Sequence, residues 1–273
     1  MSYKLLAVDI DGTLLDSNGN LTAETIKAVN QGIEKGMIFT ISTGRPLQGV
    51  EGLIKKLGIT KDMPLITYNG AMVIKWKSKE ILFQSTLKHE DAFNIIELGR
   101  KFGTAVMVWT DNKLYASELS SKAYKYSSIS GVTPLFLGDS KEVIEKNIEK
   151  GVTKILWYDE IEVINKYLNE VGKYVSDNVN FHTSQPYFLE FVDKSASKAK
   201  AMEKLGEYYG IKQSEMIAVG DGLNDLSMIE YAGLGVAMDN ANDIVKERAD
   251  FITLSNDNNG VAYVINKFIL GTN

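Results

Sequence analysis

Short apolar runs alternate along this chain with amphipathic segments, and several of the runs lead directly into acids, threonine or glycine. Leu5 to Val8 is the first run and leads into Asp9-Ile10-Asp11-Gly12-Thr13. A run without polar alternation is what a strand covered on both faces requires. Thr22 then stands at a helix N-cap, Ile26, Val29 and Ile33 share one helical face, and Gly36 ends the segment. Met37 to Ser42 is the second run. After Thr43-Gly44-Arg45, Pro46 suits the first position of a helix whose Leu47, Val50, Ile54 and Leu57 face one way before Gly58. Leu65 to Tyr68 is the third run. Strand, helix, strand, helix, strand predicts a parallel sheet layered between helices.

The rhythm breaks at Asn69-Gly70, a hairpin turn, after which Ala71 to Lys75 and Glu80 to Gln84 read as strands around the polar Lys77-Ser78-Lys79. From residue 85 to about 190, helices near 89–102, 140–150 and 159–172 alternate with strands near 104–109, 113–117, 152–158 and 174–182, with Asp111-Asn112 as a turn. From Ser197 the strand-helix order returns. A helix runs to Tyr209 and stops at Gly210; strand Met216 to Val219, helix 223–231 and strand Leu234 to Ala237 follow, then a shorter helix, a strand and a terminal helix. The expected fold class is α/β: a three-layer, Rossmann-like parallel-sheet core, residues 1–84 plus 190–273, interrupted by an inserted α+β domain, residues 85–189.

With 273 residues, 44 % apolar and 24 % charged, the chain can bury a sizeable core, and disordered or low-complexity classes are excluded. Thirty Lys plus Arg against 35 Asp plus Glu leave a charge of −5. Phosphate-backbone attraction then has no global source, so no nucleic acid is expected as a partner. The absence of cysteine excludes disulfides, thiolate metal sites and cysteine nucleophiles. The apolar stretch before Asp9 is too short for a signal sequence, and no segment has the ~18–20 apolar residues that span a bilayer. A cytoplasmic protein with no membrane partner is expected; the sequence leaves the oligomeric state open.

On a strand, residues two apart face the same side, so Asp9 and Asp11 present two carboxylates at the strand's C-terminal end, where open α/β sheets bind ligands. Close carboxylates repel, and a hard cation resolves the repulsion, most often magnesium where few protein ligands are offered. Alone, Asp-x-Asp-Gly reads as an ordinary loop. Its companions change the balance. Thr43 and Gly44 follow the second strand with a hydroxyl and open N–H groups that suit an oxyanion, though alone they make a strand-to-helix cap. Gly220-Asp221-Gly222-Leu223-Asn224-Asp225 sets two further acids and an amide directly after an apolar strand. It is not a dinucleotide fingerprint, because Asp225 stands where the third glycine belongs. Four acids in one pocket call for a nearby ammonium even with a divalent ion present. Lys198, opening the returning helix, is the candidate, with Lys194 and Lys200 close by; each lysine alone reads as a solvated helix residue. His89, His182, Trp76, Trp109 and Trp157 read as packing or surface residues and receive no role.

Taken in order, Asp9-Ile10-Asp11-Gly12-Thr13, Thr43-Gly44-Arg45, Lys198 and Gly220-Asp221-Gly222-Leu223-Asn224-Asp225 resemble the four motifs of the haloacid dehalogenase superfamily of phosphohydrolases. The long insertion between the second and third motifs, preceded by Asn69-Gly70-Ala71, is similar to the Cof-type branch with its C2 (type IIB) cap domain. Asp257 through Gly260-Val261-Ala262 also resembles that branch, so the likeness covers essentially the whole chain. Ala199 departs from the glycine that relatives often carry after the lysine.

The resemblance implies a magnesium-dependent phosphatase of small phosphorylated metabolites, sugar phosphates or similar. Asp9 would be the nucleophile, forming an aspartyl-phosphate. Asp11 would protonate the leaving oxygen and then act as base toward water. The Mg2+ ion would be held by Asp9, the Asp11 carbonyl and Asp221, with Asp225 orienting metal-bound water or Lys198. Thr43, Lys198, Asn224 and the amides of Ile10 and Gly44 would contact the phosphoryl oxygens. Arg45 is expected in an exposed salt bridge, and the inserted domain as a lid that carries specificity. Two other readings stay open: a phosphomutase of the same superfamily, and a phosphoacceptor or binding module without multiple turnovers.

Overall fold

The computed structural model describes residues 3–272, and the chain falls into two compact units, Met1–Phe83 with Ser197–Asn273, and Gln84–Ala196. The first unit begins β1 (Leu5–Val8), α1 (Ala23–Glu34), β2 (Ile38–Ser42), α2 (Gln48–Leu57), β3 (Pro64–Thr67), β4 (Met72–Lys75) and β5 (Ile81–Gln84). In the second unit follow α3 (His89–Lys101), β6 (Ala105–Thr110), β7 (Lys113–Ala116), α4 (Ser121–Ser130), β8 (Leu135–Phe136), α5 (Lys141–Ile148), β9 (Val152–Tyr158), α6 (Ile161–Glu170), β10 (Val179–Gln185) and β11 (Phe188–Asp193). The chain returns to the first unit with α7 (Lys198–Tyr209), β12 (Met216–Gly220), α8 (Leu226–Tyr231), β13 (Leu234–Ala237), α9 (Asp243–Arg248), β14 (Phe251–Ile252) and α10 (Gly260–Ile265). No helix among the described residues is long and apolar enough to cross a membrane.

The first unit is built on an eight-stranded sheet of order β14-β13-β12-β1-β2-β3-β4-β5. The strands from β14 to β3 run parallel, and β4 turns back antiparallel on β3. Every residue of β1 is buried, as the unbroken apolar run requires. Register places the functional segments. Val8 is level with Val219 on one side and Ile41 on the other, so Asp9, Asp221 and Thr43 leave the sheet along one edge. The switch in connection direction falls here, since the chain goes from β1 outward to β2 and only later fills in β12 on the other flank. Parallel sheets bind ligands at such a point.

The second unit has a six-stranded sheet of order β10-β11-β9-β6-β7-β8. Ile95 and Ile96 of α3, Ile144 and Ile148 of α5 and Ile164 of α6 pack with Val106, Val108, Ile155, Trp157, Leu189 and Phe191 in one apolar cluster. Alternate residues of β9 and β11 are Lys154 and Glu190, a buried ion pair at 3.0 Å. Trp109 and Trp157 are fully buried, in keeping with the packing role expected of them.

Several expectations need correction. Helix α4 was not foreseen; Ser-Lys-Ala-Tyr-Lys-Tyr-Ser-Ser-Ile-Ser buries only Ala123, Tyr126 and Ser130, too narrow a stripe to show as a helical period. The strand expected near 174–182 begins at Val179, and its partner β11 was missed. Because β11 pairs with β9 and β10, residues 190–193 lie in the second unit's sheet, and the chain returns to the first unit at Ser197 rather than at 190. Pro46 precedes α2 in a tight turn instead of occupying its first position, the Gly49 N–H donating to the Pro46 carbonyl at 3.0 Å.

Candidate active site

Asp9 follows β1 directly, and its N–H donates to the Val219 carbonyl at 3.0 Å, a last rung of the β1–β12 ladder. The chain then makes one wide helical turn, with Leu14 N–H donating to Asp9 and Leu15 N–H to Ile10. Gly12 interrupts that turn at φ +84, a value glycine adopts without penalty. A Cβ there would stand 2.3 Å from Asp221 Oδ2, so glycine is also what lets the two acidic loops meet. Thr13, in the same turn, donates its hydroxyl to Asp221 Oδ1 at 2.7 Å, and Asn240 donates to the Gly12 carbonyl at 2.8 Å.

Lys198 is the first residue of α7, capped by the Ser197 hydroxyl, which accepts from the Lys200 N–H. Its side chain is fully buried, and its ammonium donates to Asp9 Oδ1 at 2.7 Å, to the Ser42 carbonyl at 2.8 Å and to Asp225 Oδ1 at 2.5 Å. Three acceptors in a fixed arrangement satisfy its three donors. Asp225 is itself completely buried, and its second oxygen accepts from the N–H groups of Asp221 and Gly222, both at 3.0 Å. With both oxygens engaged, Asp225 fixes the Asp221 loop against the lysine. Lys200 pairs with Glu203 along its own helix.

Carboxylate oxygens of Asp9, Asp221 and Asp225 lie within 4.8 Å of one another. Burial pushes Asp9 up to about 7; the Lys198 ammonium opposes this, while Asp225 and Asp221 add to it. Burial likewise raises Asp221, with the Thr13 hydroxyl opposing and Asp225 reinforcing. Burial disfavours the Lys198 ammonium, yet Asp225 and Asp9 outweigh it and hold the amine above its ordinary value. One ammonium is therefore too little positive charge for the cluster. The oxygen-only donor set, the proximity and the raised Asp9 and Asp221 fit a small divalent cation.

Thr43 directly follows β2 in a buried position, and Gly44 comes next. Asn69 N–H donates to the Thr43 carbonyl at 2.9 Å, and its side-chain oxygen accepts from Asn224 at 3.4 Å. A Cβ on Gly44 would stand 3.1 Å from the Asn69 amide. Asn69 thus bridges the Thr43-Gly44 and Asn224 loops. Tyr68 and Asn69 hold left-handed backbone angles, φ +52 and +54, a strained pair of non-glycine residues of the kind that clusters at functional sites. The Asp11 side chain turns outward to Arg45, which grips both carboxylate oxygens. Sequence reasoning foresaw an exposed Arg45 salt bridge but not its partner. It gave no site role to Thr13, Asn69 or Asn240; Thr13 carried a signal as part of the first acidic segment and Asn69 as part of the Asn69-Gly70 turn, while Asn240 carried none.

Comparison with known proteins gives the family. The sequence profile of the haloacid dehalogenase-like hydrolases matches residues 6–265. Over 98 % of its length the chain is 32 % identical to YxeH of Bacillus subtilis strain 168, of which it covers 99 %. It is also 32 % identical to YcsE of that organism, a 5-amino-6-(5-phospho-D-ribitylamino)uracil phosphatase, covering 99 % of this chain and 97 % of YcsE. A crystal structure of a haloacid dehalogenase-like hydrolase from Bacteroides thetaiotaomicron superposes with a TM-score of 0.85 at 31 % identity, covering 97 % of this chain and 99 % of that one. The chain belongs to the haloacid dehalogenase-like hydrolases. Within that family it is an enzyme of the phosphatase class, with an α/β core and an inserted cap domain.

Proposed function

We propose that the enzyme hydrolyses small phosphate monoesters, sugar phosphates or similar metabolites, with Mg2+ and through an aspartyl-phosphate on Asp9. One observation carries the reading: a fully buried ammonium joins Asp9 to Asp225 while Asp221 lies within reach of both. The likeness to YcsE, whose substrate bears its phosphate on a ribityl chain, supports a small polyol or sugar phosphate.

Lys198 holds Asp9 Oδ1, and the other oxygen is assigned the attack on the incoming phosphorus. The bond from Asp9 oxygen to phosphorus forms as the ester P–O bond breaks, and Asp11 gives a proton to the departing oxygen. Asp11 then takes a proton from the water that attacks phosphorus, which frees phosphate and restores Asp9. Thr43, Lys198, Asn224 and the amides of Ile10 and Gly44 are assigned to the phosphoryl oxygens, as donors fixed before the reaction begins. Asp9, Asp221 and the Asp11 carbonyl would hold the ion, Asp225 and Thr13 keeping Asp221 in place. Bound there, the ion supplies charge neutralisation for an anionic substrate entering a pocket of carboxylates. The inserted unit, Gln84–Ala196, is assigned the choice of leaving group.

The test is phosphate release from a panel of phosphorylated metabolites with and without magnesium, using the wild type and Asp9→Asn. Multiple turnovers that need the ion and vanish in Asp9→Asn are expected. Wild-type turnover in that variant, or a single phosphorylation without release, would overturn the reading.

A further inference from the structure

The pairing of Arg45 with Asp11 makes little sense as a stabilising contact. The two side chains are 42 % and 62 % exposed, and ion pairs so placed add little to folding. Its geometry is nonetheless specific. Arg45 Nε donates to Asp11 Oδ2 at 3.1 Å and Nη2 donates to Oδ1 at 2.5 Å, so the planar guanidinium meets the planar carboxylate along both edges. A fork of this kind fixes the plane and the rotamer of the acid, which a point charge cannot do.

The base from which Arg45 projects is also fixed. Its N–H donates to the Thr43 hydroxyl at 3.2 Å, and its carbonyl accepts from the Tyr68 N–H at 3.3 Å. Pro46 follows and narrows the backbone freedom of the residue before it. Arg45 therefore ties the loop after β2, where Thr43 stands, to the loop after β1, where Asp11 stands.

We infer that Arg45 is a positioning residue for Asp11, its guanidinium aiming the carboxyl that delivers a proton to the leaving oxygen. This rests on the phosphatase reading above. In that step Asp9 oxygen bonds to phosphorus, the ester P–O bond breaks, its electron pair stays on the leaving oxygen, and the proton comes from Asp11. Both carboxylate oxygens accept from the fork, so in the acid form one of the two contacts opens; the oxygen it frees carries the proton to the leaving group while the other contact holds the plane of the carboxyl. A misaimed acid harms only those esters whose leaving oxygen needs the proton.

The test is leaving-group dependence of kcat/KM, which reports events up to loss of the leaving group whatever the rate of the later hydrolysis. Arg45→Ala, Arg45→Lys and Asp11→Asn are compared with wild type on aryl phosphates from 4-nitrophenyl to 4-methoxyphenyl phosphate and on one alkyl phosphate. Both Arg45 variants are expected to lose about 10²-fold on the alkyl ester and almost nothing on 4-nitrophenyl phosphate, following the Asp11→Asn pattern. Arg45→Lys fails alongside Arg45→Ala because it keeps the charge and loses the fork. Added guanidinium ion should restore part of the alkyl-ester activity of Arg45→Ala. A uniform loss across all esters, or a rise in KM alone, would make Arg45 a phosphate ligand and overturn the inference. Asp11→Asn without leaving-group dependence, or full turnover in Asp9→Asn, would instead overturn the phosphatase mechanism beneath it.

Discussion

At Lys198 a single side chain decides the electrostatics of the site. It lies between two buried carboxylates, and removing one partner of a buried charge cluster costs about 3–5 kcal/mol because the others remain desolvated. Lys198→Met should therefore lower the melting temperature and, if the proposed contact to phosphoryl oxygen is lost with it, cut kcat by roughly 10²–10³-fold. Turnover near wild type in a folded Lys198→Met protein would remove the ammonium from the mechanism. Asp9 adds a pH signature. Its carboxyl is raised from 3.8 to about 7, so between these values the ion-free folded state holds a proton that the unfolded chain has released. Folding stability from this group then falls as pH rises through that window. A divalent ion bound there would take the place of the proton. Magnesium should raise the melting temperature more at about pH 8 than at about pH 5, and should release protons on binding near neutrality. Equal gains at both values would separate Asp9 from the ion.

Among elements, the first turn of α7 shows how backbone packing delivers the Lys198 side chain to the acidic cluster. Gly70, in the turn from β3 to β4, has φ +96, and a Cβ there would lie 2.1 Å from the Ser197 carbonyl oxygen and 2.6 Å from the Lys198 nitrogen. Gly70→Ala must move the start of α7 and with it the ammonium. Loss of stability of about 1–3 kcal/mol with a clear fall in kcat is expected. Gly210→Ala, at the open far end of the same helix, meets nothing within 4 Å and should cost stability alone. Kinetics and thermal melts of the two variants check the contrast; equal effects on kcat would mean that α7 is not a rigid carrier. The sequence announced such elements where chemistry and periodicity coincided. β1 and β12 are unbroken apolar runs that end in acids, and α7 carries a serine cap and a glycine stop. It was silent where the determinant is tertiary. Arg45 and Asp11 stand 34 residues apart, and nothing local indicates that their loops meet. β11 was missed because Phe-Leu-Glu-Phe-Val-Asp carries two acids among four apolar residues, and only the burial of Lys154 beside Glu190 makes the first of them a core residue.

For the whole molecule, the division into two units with separate cores predicts two separable unfolding transitions, and their pH dependences should have opposite sign. In the first unit, burial raises both Asp9 and Asp221, so acidification protonates groups that folding already prefers protonated and strengthens the ion-free fold. In the second, burial pushes Glu190 up, but the Lys154 ammonium and the Ser184 hydroxyl more than offset this, and the carboxyl rests below its ordinary 4.5. That group contributes stability above its ordinary value and loses it as pH falls through the lowered one. Calorimetry from about pH 7 to well below the ordinary carboxylate range should thus raise one transition and weaken the other at the acid end. Magnesium should shift only the transition that acid strengthens. Lys154→Met should depress only the other, by about 3–5 kcal/mol, while a second change, Glu190→Leu, recovers much of the loss by removing the stranded charge. A single transition that responds to both magnesium and Lys154→Met would show instead that the units unfold as one.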